Sequence, residues 1–511
     1  MQIRESAMIS TTKYRNRLIK LAILPFLIAN SAILQGQEND NNPVKLTPCY
    51  MEGLSDRLMC GSIAQPLSDN SADGEIDIHF AVIPAIKPSN PDEAVLGFAG
   101  GPGQGAIDLA RVFDHNLRFA RETRDIVLVD QRGTGYSNQL QCDSDDLKTQ
   151  FAFNDAITDL QTMSKQDTEQ CKAKLNVDLS HFTTSAAAKD FEAVRVALGY
   201  KGFHLYGVSY GTRIAQEYTR QFPASVITST LDGVVPMQQS LAAIGEAIDA
   251  SLQALFERCE SDAACNEQFP SLQIRFNEFL ARLEQQPIEA QVRHPRTYEL
   301  IPFTVTKMKF YSAIRLALYS HTTRSIVPLV ITKAAQGDFS PLAGLMANAD
   351  LTQSLAMGMH NAIVCSEDWP QLTPQLRSKY SNTYMGKTMI EGLDIVCPVL
   401  EVKPADKAFY KPLQSDKPTL LLSGARDPAT PPSWAELAMV NMTDATHLVA
   451  PTATHGVGSQ TCAPKIVAQF IEQKTMQDID TDCIKDKNDK PFFMNINGVA
   501  NTHLTPATNK E

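Results

Sequence analysis

The chain has no excess of positive charge: 46 Lys and Arg stand against 57 Asp and Glu in 511 residues, a formal net charge of -11. Such a field repels phosphate backbones, so nucleic-acid binding is disfavoured. The glycine-rich run Gly100 to Gly105 is not followed by Gly-Lys-Ser/Thr, and Gly101, Gly103 and Gly105 do not fit G-x-G-x-x-G, which disfavours a nucleotide loop. No C-x-x-C pair or nearby His cluster accompanies the cysteines, so no metal is expected, and no organic cofactor. Past residue 36 the longest apolar runs are of strand length, so no stable membrane insertion is expected once that first segment is removed. The chain shows no internal repeat, and its 43% hydrophobic content with 26 Gly and 29 Pro is neither collagenous, low-complexity nor disordered. Its length exceeds what one core usually fills, so a main domain with a sizeable insertion is expected.

What positive charge exists is partly front-loaded. Arg4, Lys13, Arg15, Arg17 and Lys20 against Glu5 give residues 1–36 a charge of 5 - 1 = +4, so the remainder carries -11 - 4 = -15. Lys13 to Lys20 read as a basic n-region, Leu21 to Ala32 as an apolar run of roughly a dozen residues, and Ala29, Ser31, Ala32 and Gly36 as small residues for cleavage. This predicts a secretory signal and an exported protein, periplasmic or extracellular, with an uncleaved anchor as the alternative. The ten cysteines agree, since none lies inside the signal and their number is even. Closeness in order favours Cys49–Cys60, Cys142–Cys171, Cys259–Cys265, Cys365–Cys397 and Cys462–Cys483.

Apolar strands are expected at Glu75 to Pro84, Ala94 to Phe98, Asp125 to Asp130, Phe203 to Tyr206 and Ile227 to Val235, with helical spacing at Ser185 to Leu198 and Thr212 to Phe222. Strands alternating with helices across short glycine-bearing turns indicate a mostly parallel sheet covered on both faces. The alternation stops at Met237, gives way to a long helical pattern, and resumes at Pro418 to Ser423, His447 to Ala450 and Lys465 to Lys474. The expected division is a signal at 1–36, an α/β core at 37–236 and 414–484, a large, mainly helical cap at 237–413 inserted between the two halves, and a polar tail at 485–511.

Gly207-Val208-Ser209-Tyr210-Gly211 is a G-x-S-x-G element between an apolar strand and a helix. Glycines two positions either side of the serine permit the sharp turn that lifts its hydroxyl above the sheet edge, although a tight turn with a capping serine has the same letters. The serine needs a base and an orienting acid, which follow in the order acid, then His. Asp427 ends the loop after the strand at Thr419 to Gly424, where it could also cap the next turn. His455 lies in the loop after the next strand, whereas His447 is within that strand and His503 is in the tail. The expected triad is Ser209, Asp427 and His455. The oxyanion donors are expected to be the Tyr210 N–H and an N–H of the glycine run, Gly101 with Gly100 as the alternative, because Pro102 has none.

Ala99-Gly100-Gly101-Pro102-Gly103, Asp130-Gln131-Arg132-Gly133-Thr134-Gly135-Tyr136-Ser137, the serine element with Thr212, Gly424-Ala425-Arg426-Asp427-Pro428-Ala429-Thr430-Pro431 and Thr454-His455-Gly456 together resemble the prolyl iminopeptidase and tripeptidyl aminopeptidase family of α/β-hydrolases. The similarity spans roughly residues 75 to 475. Ala99 departs from the His that many prolyl iminopeptidases carry there, which weakens a proline-specific reading. The resemblance implies an exopeptidase acting on oligopeptides, with a cap acid after a cysteine holding the substrate's α-amine. That role would fall to Glu367, with Asp368 beside it, in Cys365-Ser366-Glu367-Asp368-Trp369, where a solvated acidic turn is the alternative. A secreted esterase with the same triad, or a binding protein on a hydrolase scaffold, remains open.

Overall fold

The computed structural model describes residues 44–143, 145–348 and 355–499. The signal segment expected at 1–36 and His503 lie outside the described residues.

Among the described residues eleven strands form two sheets. β1 (Thr47–Cys49), β2 (Leu58–Pro66), β3 (Glu75–Ile83), β4 (Glu93–Phe98), β5 (Asp125–Val129), β6 (Gly202–Val208), β7 (Val226–Asp232), β10 (Thr419–Gly424) and β11 (Ala445–Ala450) make the large one, while β8 (Ile288–Arg293) and β9 (Leu300–Val305) pair antiparallel on their own. The large sheet runs β1-β2-β3-β5-β4-β6-β7-β10-β11. The pairs β1–β2, β2–β3 and β3–β5 are antiparallel, and every pair from β5 to β11 is parallel. Chain order reverses where β6 lies beside β4, the switch point at which an open parallel sheet leaves a crevice beyond its carboxyl ends.

The parallel strands read as continuous apolar runs because both faces are covered. On β6, Phe203 and Leu205 pack with the helices Thr184–Leu198 and Tyr210–Gln221, while Tyr206 points the other way, toward Ala110–Leu117 and Ala463–Gln473. The helix Thr184–Leu198 starts where the Thr183 side chain accepts from Ala186 N and stops at Gly199, whose φ of 79° suits a residue without Cβ.

Between β7 and β10 a second core forms around Ile248, Phe256, Phe276, Phe303 and Phe310. It differs from the expected cap in three ways. It contains the β8–β9 hairpin, whose Ile288 to Arg293 alternates partly buried with exposed residues. Ala356 to Cys365, together with Cys397 and Leu400, packs instead against the main sheet's core. The tail is drawn in as well, since Phe492 and Met494 are buried in the cap core, Arg258 lies over the Phe492 ring at 4.1 Å, and Phe493 N donates to Ser325 O at 3.0 Å. Residues 485–494 are therefore a docked strap between cap and core rather than a free polar end.

All ten cysteines are paired, as Cys49–Cys60, Cys142–Cys171, Cys259–Cys265, Cys365–Cys397 and Cys462–Cys483. Among the described residues no helix is long and apolar enough to cross a membrane, and no cluster of His, Cys, Asp and Glu could hold a metal ion.

Candidate active site

Ser209 follows β6 and precedes the helix Tyr210–Gln221, with φ 58° and ψ -127°. A non-glycine residue there is strained by about 1–3 kcal/mol and persists only where its surroundings hold it. Here Ser209 N donates to Asp232 O at 2.9 Å, and Ser209 O accepts from Thr212 N and Thr212 Oγ1 at 2.8 and 2.6 Å. The flanking glycines are required by close approach. A Cβ on Gly207 would stand 2.5 Å from Gly211 O, and one on Gly211 would stand 2.2 Å from Phe98 O, so only bare backbone lets this helix start against the end of β4.

The glycine run lies against the same serine. A Cβ on Gly100 would sit 3.2 Å from both Ser209 Cβ and Val208 O, and Gly101 and Gly103 both have φ of +108°. Tyr210 N is in the first helical turn, where amides lack an intrahelical acceptor. Among the described residues neither Tyr210 N nor Gly101 N makes a hydrogen bond.

Asp427 and His455 extend from the carboxyl ends of the neighbouring strands β10 and β11. His455 Nδ1 lies 2.8 Å from Asp427 Oδ2 and 3.1 Å from Oδ1. The carboxylate is fixed from behind, accepting from Ala429 N at 2.7 Å, Thr430 N at 2.9 Å and Thr430 Oγ1 at 2.8 Å. Burial works against charge on His455, but the Asp427 carboxylate, by attraction and hydrogen bond, with Asp232 adding to it, outweighs burial and raises the histidine pKa above its ordinary value. Tyr319 sets its ring edge-on to His455 with centroids 5.1 Å apart. Among the described residues Ser209 Oγ makes no hydrogen bond to His455; such contacts often tighten only when substrate binds. His447 faces Ser423 Oγ at 3.0 Å within β11, away from this pair.

One residue of this arrangement escaped the sequence reading. Asp232, the last residue of β7, is fully buried and accepts from Val457 N at 2.7 Å, Gly458 N at 2.8 Å and Tyr206 Oη at 3.0 Å. It ties the strand before Ser209 to the loop after His455, while its backbone carbonyl holds Ser209 N. A lone acid ending an apolar strand, followed by a glycine, was the available signal. Asp130 has a similar role in the second motif, bracing the glycine loop through Ile107 N at 2.9 Å and the following turn through Tyr136 N at 2.8 Å.

Glu367 and Asp368 are corrected by their surroundings. Both are buried, in the turn that ends the helix Met357–Ile363. Asp368 is an internal counter-ion, taking Arg213 Nη1 at 3.2 Å and Leu241 N at 2.8 Å. Glu367 accepts from Thr184 N and Thr184 Oγ1, both at 2.8 Å, and Thr184 Oγ1 contacts Tyr210 Oη at 2.6 Å. Burial pushes Glu367 up to about 7, against the pull of Arg213 and the Thr184 bonds. Both acids are thus engaged inside the protein rather than forming the solvated acidic turn that was the alternative.

The sheet order, the strained serine after β6 and the loops after β10 and β11 are those of the α/β-hydrolase fold. Residues 381–483 match the family described as "TAP-like protein". The serine protease Hip1 of Mycobacterium tuberculosis is 30% identical over 210 residues, covering 38% of this chain and 40% of that protein. Tripeptidyl aminopeptidase of Streptomyces lividans is 27% identical over 191 residues, covering 35% of each. The chain thus spans well under half the length of these curated relatives. A solved proline iminopeptidase of Mycobacterium smegmatis is 14% identical, covering 81% of this chain and 98% of that one with a TM-score of 0.34. The chain thus has the α/β-hydrolase fold and is similar in part to the tripeptidyl aminopeptidases and their relatives.

Proposed function

We propose that this chain is an exported serine exopeptidase that releases short units from the free N-terminus of oligopeptides. The reading is carried by the hydrogen-bonded Asp427–His455 pair at the sheet edge that also presents the strained Ser209. Ser209 Oγ attacks the scissile carbonyl while His455 Nε2 takes its proton, and Asp427 keeps the Nδ1–H oriented and balances the imidazolium. The Tyr210 and Gly101 amides receive the oxyanion. His455 returns the proton to the departing amine, leaving an acyl-enzyme, and a water deprotonated by the same histidine then hydrolyses it. Five disulfides support an oxidising compartment.

The esterase reading also has an observation in its favour, namely that Glu367 and Asp368, the expected amine anchor, already have partners inside the protein. A panel of mono-, di- and tripeptide fluorogenic amides, each free and N-acetylated, separates the two. The proposal expects cleavage of free-amine substrates and its loss on acetylation. Equal cleavage of both forms, with simple acyl esters turned over much faster, would replace it with the esterase.

A further inference from the structure

Arg315 lies in the last turn of the cap helix Lys307–Ala317 and is half-buried. Its Nη2 reaches Tyr319 Oη only at 3.4 Å, and its Nε is buried with no hydrogen-bond partner. Among the described residues no carboxylate is within ion-pair reach of it, and Asp249, which faces the same helix from a neighbouring one, is taken by Tyr311 Oη at 2.8 Å. Three buried arginines are neutralised, Arg132 by Asp190 at 2.7 Å, Arg213 by Asp368 at 3.2 Å, and Arg124 by Glu93 and Glu472 at 3.3 and 2.6 Å. Arg324 also has no ion pair, but its Nη1 and Nη2 donate to Ser251 Oγ and Ser251 O at 2.8 and 2.9 Å, whereas Arg315 has only the long contact to Tyr319. A partly desolvated guanidinium without a counter-charge is unfavourable on its own, and an incoming carboxylate would relieve it through charge-assisted, bidentate hydrogen bonds.

Its neighbours connect it to the reacting groups. Tyr319, which it touches, stacks edge-on against His455 and accepts Thr454 Oγ1 on its carbonyl at 2.8 Å. Within its electrostatic range, His360 Nδ1 bonds the Pro102 carbonyl of the glycine run at 3.0 Å. Burial lowers the His360 pKa, the Pro102 carbonyl and Asp368 oppose that, and Arg315 is near enough to lower it further by repulsion. The guanidinium without an ion-pair partner therefore touches the residue that covers His455 and is within electrostatic range of the histidine that holds the glycine loop.

We propose that Arg315 receives a carboxylate of the substrate, either the C-terminal carboxylate of a short peptide or an acidic side chain next to the scissile bond. The inference rests on the hydrolase reading above, and it makes the charge selection at this site one for an anion.

The test is a set of matched pairs for wild type, Arg315→Gln, Arg315→Lys and Arg315→Glu. One arm compares a short peptide acid with its C-terminal amide, another compares Glu with Gln beside the scissile bond, and a third compares p-nitrophenyl hemisuccinate with its methyl ester. The third arm keeps the test valid for an esterase. The expected result is a wild-type kcat/KM ratio favouring the carboxylate by about tenfold to a hundredfold in at least one arm. That ratio should fall toward one in Arg315→Gln, be partly kept in Arg315→Lys and invert in Arg315→Glu. The responding arm identifies the source of the carboxylate. A wild-type ratio near one in every arm, or a ratio that Arg315→Gln leaves unchanged, overturns the proposal. Fluorophosphonate labelling of wild-type Ser209 reports on the hydrolase reading separately, because labelling without acid preference removes only the role of Arg315.

Discussion

Replacing Asp232 by Asn removes a charge from the most enclosed part of the site while keeping its shape. The carboxylate accepts two backbone amides, Val457 N at 2.7 Å and Gly458 N at 2.8 Å, together with Tyr206 Oη at 3.0 Å. An asparagine offers one acceptor oxygen and one amide nitrogen, so at least one of those buried donors is left without an acceptor. That costs about 1–3 kcal/mol, to be read as a lower urea midpoint with an unchanged slope. The second consequence is electrostatic. Asp232 is among the charges that raise the His455 pKa, behind Asp427, so its neutralisation lets that pKa fall. The base must be neutral to accept the serine proton, and a lower pKa leaves it neutral at lower pH. The acid limb of the kcat/KM profile of Asp232→Asn should therefore move to lower pH. A limb that stays in place or moves upward, in a variant whose far-UV spectrum is native, would refute the electrostatic link between the end of β7 and His455.

Two further outcomes follow from buried contacts. Arg213→Met leaves Asp368 as an unpaired charge at 0% exposure, so it should lose about 3–5 kcal/mol in chemical denaturation, with Asp368→Asn in the same chain restoring part of the loss. Phe492→Ala should cost about 3–5 kcal/mol because its ring fills the cap core beneath Arg258, and a loss below about 1 kcal/mol would mean that the strap contributes nothing to the fold.

The parts of this architecture that were legible in the sequence are those in which local chemistry and tertiary role coincide. β4, β5, β6 and β10 are buried on both faces and so advertise themselves as short apolar runs, and Gly207 and Gly211 mark a turn that no Cβ-bearing residue could make. Asp427 and His455 were readable because each sits in a loop whose position in the strand order is fixed. The misread features depend on what lies across space. Glu367 and Asp368 look like an exposed acidic turn until Thr184 and Arg213, far away in the chain, are seen to occupy them. β1 and β2 alternate weakly because they form the sheet's edge, with exposed positions on one side. The strap at 485–494 is polar apart from a few residues, and its docking depends on Phe492 and on Asp489, whose carboxylate ion-pairs with Arg258 and Arg426.

The central claim is that Ser209 is a nucleophile activated by His455 and Asp427, and the most direct measurement is covalent labelling by a fluorophosphonate probe followed by peptide mapping. The account predicts a single adduct on the peptide that contains Ser209 in the folded wild type, and none in Ser209→Ala. Absence of labelling in the folded wild type, or equal labelling of Ser209→Ala, would contradict it.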